Sequence, residues 1–185
     1  MLRDPKTEAN SFRRRLVHDG IQRPENQHGA KLATPQLGNT QDVALRTWLK
    51  SQGYETTVEG AGDVNILPQD NATTLDTFKS GDIDGAWVPE PWATRLVQEG
   101  GGKVLVDEKT LWPDGKYVTT NILVRRAFLD EHPDLVKKVL QGHLASLDHI
   151  AKNPADAQKA ANDQIEKLTQ KRLPDAVVTA AWPNL

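Results

Sequence analysis

Two short stretches concentrate the side chains able to hold a ligand: Gln36 to Gln41 within ATPQLGNTQD, and Glu90 to Trp92 within VPEPWATRL. Each reads as a strand running into a helix through small, polar and proline residues. In an open α/β sheet such turns gather at the carboxyl ends of the strands, where ligands bind. In the first stretch, Asn39, Thr40 and Gln41 open a helix directly after Gly38. The first N–H groups of a helix lack internal partners and carry the positive end of the macrodipole, so a small anion can be held without a lysine. Gly38 permits close backbone approach, Thr40 adds a hydroxyl and Gln41 an amide. The plainer alternative is an ordinary cap, because Asn-x-x-Asp is a normal helix start. In the second stretch, Trp92 offers an apolar wall for an alkyl chain and Glu90 a carboxylate. A carboxylate repels an anion, so Glu90 is expected to orient its neighbours or bond a ligand amine. The alternative is a cap for Glu90 and core packing for Trp92. Neither turn holds a convincing catalytic group, which favours a receptor over an enzyme.

Other chemistries find little footing. The chain has no cysteine, which removes disulfides, thiolate nucleophiles and cysteine-metal sites. His18, His28, His132, His143 and His149 show no metal spacing, and HExxH is absent. His143, Ser146 and Asp148 lie close together on one helix, where they cannot converge as a triad. Asp82 and Asp84 before Gly85 lack the later ligands of a calcium loop and read as a turn. Neither GxxxxGK[ST] nor GxGxxG occurs, so no nucleotide site is expected, and no cofactor or metal with it.

The elements that must position these turns follow from the pattern. Of 185 residues, 37% are hydrophobic, enough for the core of one domain with appendages. The 23 basic and 25 acidic residues are interspersed to a net charge of -2, which leaves no long-range field for nucleic acid or anionic membrane. Arg13 to Arg15, flanked by Asp4, Glu8 and Asp19, read as solvated surface. Leu16 and Val17 read as the remnant of a hinge strand leading to a turn at His18 to Gly20. Strands are expected over Lys31 to Thr34, Val64 to Leu67, Gly85 to Val88, Lys103 to Val106 and Tyr117 to Val124. The first helix follows the cap at Asn39 or Thr40, with Val43, Ala44, Leu45, Trp48 and Leu49 at helical spacing and Gly53 closing it. The second runs from about Ala72 to Ser80, capped by Asn71 and stopped by Gly81. The third carries Pro91 in its first turn and ends at Gly100 to Gly102. After Arg126 the chain is helical. Pro133 begins a long helix with Val136, Leu140, Leu144, Leu147 and Ala151 along one side, and Pro154 and Pro174 begin others. The reading is an α/β fold with a mainly parallel sheet covered on both faces, followed by a helical C-terminal segment.

The stretches ATPQLGNTQDVALRTWLKSQGY and GDIDGAWVPEPWATRLVQEGG, followed by YVTTNILVRRAFLDEHPDLVKKVLQGHLAS, resemble the second lobe of ABC-importer solute-binding proteins for aliphatic sulfonates, nitrate and taurine. The resemblance covers Ile21 to Leu185 and implies a type II periplasmic-binding-protein lobe. Residues 1–24 would be a polar segment and hinge-strand remnant, 25–124 the ligand-binding lobe and 125–185 a helical return segment. The first lobe would be largely absent, as in a truncated form. It also implies a small anionic, sulfonate-like solute at Gln36, Gly38, Asn39, Thr40, Gln41, Glu90 and Trp92. An ABC permease would be the partner, and the working place of the parent family lies outside the membrane. The chain as written shows no signal-peptide core and no run of the roughly 18 apolar residues that span a bilayer, so by itself it is expected to stay in the cytoplasm. Two alternatives stand beside transport. One is a ligand-sensing regulatory module. The other is an enzyme like the thiamin-pyrimidine synthases, which rely on cysteine- and histidine-bearing motifs that this chain lacks.

Overall fold

The computed structural model describes the backbone of residues 13–17 and all of residues 28–185. The polar start of the chain and the turn expected at His18 to Gly20 lie outside the described residues. By its internal contacts the chain divides into an α/β unit that ends at Tyr117 and includes Pro183–Leu185, and a helical unit, Val118–Trp182.

The α/β unit is built on a five-stranded sheet. Strand β1 is Arg13–Val17, β2 Lys31–Thr34, β3 Asn65–Pro68, β4 Gly85–Pro89 and β5 Lys103–Asp107. Their spatial order is β3-β2-β4-β1-β5. Strand β2 pairs parallel with β3 and β4, while β1 pairs antiparallel with β4 and β5. All strands after β1 therefore run one way, and the mainly parallel sheet is the one expected. The hinge-strand remnant is a full strand seated between β4 and β5, with Leu16 opposite Ala86 and Val17 opposite Gly85. Arg13 to Arg15 belong to that strand.

Helices α1 (Thr40–Ser51), α2 (Asn71–Ser80) and α3 (Trp92–Gly100) connect successive strands. Alternation along the strands decides which face each helix covers. Leu32 of β2 and Trp87 of β4 join Leu45, Trp48 and Leu49 of α1 in one core cluster. Ala33, Ala86 and Val88 join Leu75 and Phe78 of α2 and Ala93 and Leu96 of α3 in the other. Strands buried on both faces read as continuous apolar runs, which is how GAWV reads. The close fit of α3 against α2 needs Gly100: a Cβ there would stand 2.9 Å from the Phe78 ring.

Four expectations are corrected. Tyr117 to Val124 is not a strand: residues 118–124 make no ladder, and Val118 and Leu123 are 73% and 90% exposed. Strand propensity records fit against neighbouring strands, and this stretch has none among the described residues. Helix α2 is capped by Asp70, not Asn71; the Asp70 carboxylate accepts from the Thr73 amide at 2.9 Å and its hydroxyl at 2.6 Å. Both residue types cap well and both stand three residues before a threonine; the pair that closes is Asp70 with Thr73. Pro91 stands just before α3, at its cap. On α1, Val43 is exposed and Asp42 takes the buried place.

The helical unit contains α4 (Arg126–Glu131), α5 (Pro133–Lys152), α6 (Pro154–Thr169) and α7 (Asp175–Ala181), with Pro133 and Pro154 opening their helices as read. Asn162, 1% exposed, ties α6 to the following loop through both backbone groups of Leu173, at 2.9 and 3.0 Å. On α5, Leu135, Val139, Leu140 and Leu144 are all at least 42% exposed.

Candidate functional site

Because β2 and β4 are adjacent and parallel, the turns that follow them lie at the same carboxyl edge of the sheet. The turn after β2 leaves Gln36, Leu37, Gly38 and Thr40 exposed. Gly38 has φ 73°, and a side chain there would meet open space, so the conformation rather than crowding calls for glycine. Asn39 caps α1, its Oδ1 accepting from the Asp42 amide at 2.9 Å. The Asn39 amide donates to the Gln36 carbonyl at 3.3 Å, and the Gly38 amide to Asp42 Oδ2 at 3.0 Å. That removes two of the amides expected to face an anion. The amides of Thr40 and Gln41 have no hydrogen-bond partner among the described residues, and the Thr40 hydroxyl donates to Gln41 Oε1 at 3.0 Å. Two unspent donors at a helix N-terminus, beside a hydroxyl and a side-chain amide, suit one small oxyanion.

Sequence reasoning missed Asp42, which is 1% exposed at the base of this turn. Its Oδ1 accepts from the Thr34 hydroxyl at 3.0 Å, and its Oδ2 accepts from Arg46 Nε, also at 3.0 Å, in addition to Gly38. Burial pushes the Asp42 carboxyl up, but the hydrogen bonds from Arg46, Gly38 and Thr34 outweigh it and hold it below its ordinary value. Arg46 in turn donates to the Thr57 carbonyl at 2.7 Å. The pairing Asp42 to Arg46 at helical spacing was visible in the sequence; its burial was not.

The turn after β4 answers the two readings of Glu90 and Trp92. Glu90 is 7% exposed, and its Oε2 accepts from the Thr94 amide at 3.0 Å, which serves the start of α3. Its Oε1 accepts from Asn184 at 3.3 Å. Trp92 is half-buried against the α2 and α3 cluster, with the Arg95 guanidinium 4.7 Å over its ring. Packing therefore accounts for much of Trp92, and its remaining surface lies at the same sheet edge. No hydrogen bond joins the two turns among the described residues.

A third turn at this edge, after β3, was read only as a cap. The Gln69 amide donates to the Thr34 carbonyl at 2.9 Å, which sets it against the end of β2. Asn71 Oδ1 is buried there without a hydrogen-bond partner. The available signal was its place: like the other two, it opens a helix directly after a parallel strand.

Catalytic and metal arrangements do not assemble elsewhere among the described residues. No group of three or more His, Asp or Glu could hold a metal ion. Ser146 and His149 line a pocket of about 440 Å³ with several alanines and Trp182 in the helical unit. His149 Nε2 is 3.0 Å from Asp156, and Nδ1 is 3.3 Å from Asn153. With both ring nitrogens engaged, and Ser146 donating to the Gly142 carbonyl at 2.9 Å, no base faces that hydroxyl. No helix among the described residues is long and apolar enough to cross a membrane.

The sequence matches the model of the NMT1-like family over residues 6–163. It is 29% identical over 153 residues to the taurine-binding periplasmic protein of Escherichia coli, covering 79% of this chain and 45% of that protein. The fold is similar to the alkanesulfonate-binding protein SsuA of Xanthomonas axonopodis pv. citri, solved with MOPS bound, at TM-score 0.68 and 19% identity over 93% of this chain and 55% of that one. It is also similar to the periplasmic aliphatic sulphonate-binding protein SsuA of Escherichia coli, at TM-score 0.71 and 18% identity over 94% and 55%. This chain thus spans about half the length of the proteins it matches.

Proposed function

We infer, from the premise that this chain belongs to the NMT1-like family, that it supplies a solute-binding lobe of an ABC importer for small oxyanions of the aliphatic sulfonate kind. The observation that carries this reading is the pair of unspent amides at Thr40 and Gln41, on an exposed helix start at the carboxyl edge of a parallel sheet. A sulfonate or nitrate is a compact anion with several acceptor oxygens, which this donor pair and the Thr40 hydroxyl complement. The function of the taurine-binding relative supports the same ligand class.

In this reading, residues 25–124 form the ligand-facing lobe and 125–185 the return segment. Gln36 and Gly38 shape the turn, Asn39 caps the helix, Thr40 and Gln41 hold the anion, Glu90 fixes the facing turn, and Trp92 lines the approach of the alkyl part. The solute is bound and released with no bond made or broken, and the permease receives it after two lobes close and reopen. The site of work is outside the cytoplasmic membrane, as the names of the relatives have it for them.

An NMR titration of the ¹⁵N-labelled chain with methanesulfonate, taurine and nitrate tests the placement. The amides of Thr40 and Gln41 should lead the response, with the Trp92 indole following when the ligand carries an alkyl chain. A response centred on another part of the chain, or none at all, would overturn the assignment.

A further inference from the structure

The side chain of Asp42 does something that capping α1 does not require. In a capping box the acidic residue at the third helical position returns to the amide of the cap residue. Here the cap residue Asn39 sends its amide to Gln36, and the Asp42 carboxylate reaches one residue further back, to the Gly38 amide. The same carboxylate takes the Thr34 hydroxyl from the end of β2 and the Arg46 guanidinium from the next turn of α1. Strand, turn and helix thus converge on one group that is 1% exposed. Arg46 is itself held at the Thr57 carbonyl, so its position is fixed independently of any ligand.

Building on the solute-binding reading above, we propose that Asp42 is the positioning residue of the ligand turn: it draws the Gly38 amide inward and leaves the amides of Thr40 and Gln41 as the pair presented to an oxyanion. Two consequences follow from the geometry. The turn keeps Gly38 at φ 73° with its N–H facing protein instead of solvent. The Arg46 charge balances Asp42, so the positive end of α1 is not cancelled by the carboxylate beneath it. The charged and titratable group facing Asp42 is Arg46; its other partners are the Thr34 hydroxyl and the Gly38 amide.

The test follows single amides by ¹⁵N NMR in wild type, Asp42→Asn and Thr34→Val. Without ligand, the Gly38 amide of wild type should show an acid transition that Asp42→Asn abolishes. With methanesulfonate as probe, wild type should shift Thr40 and Gln41 and leave Gly38 unmoved. In Asp42→Asn, Gly38 should join the perturbed set and affinity should fall about tenfold. Thr34→Val keeps the carboxylate and should keep the wild-type set of responding amides, with a smaller loss of affinity. A folded Asp42→Asn with the wild-type pattern and affinity would overturn the proposal, as would a Gly38 amide without an acid transition. Should Asp42→Asn fail to fold, the wild-type acid transition and Thr34→Val decide instead, and a changed amide pattern in Thr34→Val refutes it. No methanesulfonate response anywhere, with the acid transition intact, would remove the solute-binding reading itself, and the positioning role with it.

Discussion

Asn39 and Thr40 are neighbours on the same turn, yet their side chains face different tasks. Asn39 accepts the Asp42 amide at 2.9 Å, a bond made in the folded chain with or without solute. Replacing it by alanine should cost about 1 kcal/mol of stability, read as a lowered urea midpoint, with the remaining amides still able to meet an anion. Thr40 is exposed and its hydroxyl donates only to the adjacent Gln41 side chain. Thr40→Ala should leave the urea midpoint in place and weaken oxyanion binding by about 1 kcal/mol, measured by the same NMR titration. Equal affinity in the folded Thr40→Ala variant would take the hydroxyl out of the site. Asp42 adds a pH signature. Its folded-state pKa is lowered, so its stabilisation is complete above the ordinary carboxylate range and fades as pH falls through the depressed value. Comparing wild type with Asp42→Asn in urea should therefore show a gap that is constant near neutrality and closes only in strong acid. A gap that closes already between neutral pH and the ordinary carboxylate range would contradict that sign.

At the scale of elements, Glu90 shows how one residue satisfies two readings. Its carboxylate accepts the Thr94 amide in the first turn of α3, where Pro91 supplies no side-chain cap. Glu90→Ala should destabilise the chain by about 1 kcal/mol, and Glu90→Gln, which keeps an acceptor, by less; urea denaturation of both separates cap from charge. Local features of this kind were legible in the sequence. The glycine stops at Gly53, Gly81 and Gly101 all adopt positive φ, and the alternation of strands with helices foretold a sheet covered on both faces. Long-range pairing was not legible. Nothing in RRRLV announces a strand between β4 and β5, because its neighbours come from about 70 residues or more downstream. Conversely, the β-branched run from Tyr117 to Val124 had strand propensity but no partner to satisfy it. In the candidate site, the cap and the exposed donors could be read from residue types. The burial of Asp42 could not, since it depends on Thr34, Gly38 and Arg46 converging in three dimensions.

At the scale of the whole molecule, coverage of the ligand governs affinity. A small-molecule site that binds well buries roughly 70–90% of the ligand surface and excludes water from its hydrogen bonds. In this chain the turn that offers the donors is open: Gln36, Leu37, Gly38 and Thr40 are exposed, and Leu37 is 48% so. An oxyanion seated on the Thr40 and Gln41 amides would keep most of its surface in water, where each bond competes with solvent and contributes little net free energy. The proteins this chain resembles are about twice as long, so they have further structure with which to cover a solute. The chain as it stands should therefore bind taurine, alkanesulfonates and nitrate more weakly than micromolar, with rapid exchange in NMR spectra. Calorimetric titration with that panel gives the measurement. Micromolar or tighter binding would mean that the described turns already enclose the solute, and that an open half-site is the wrong picture of how this lobe works.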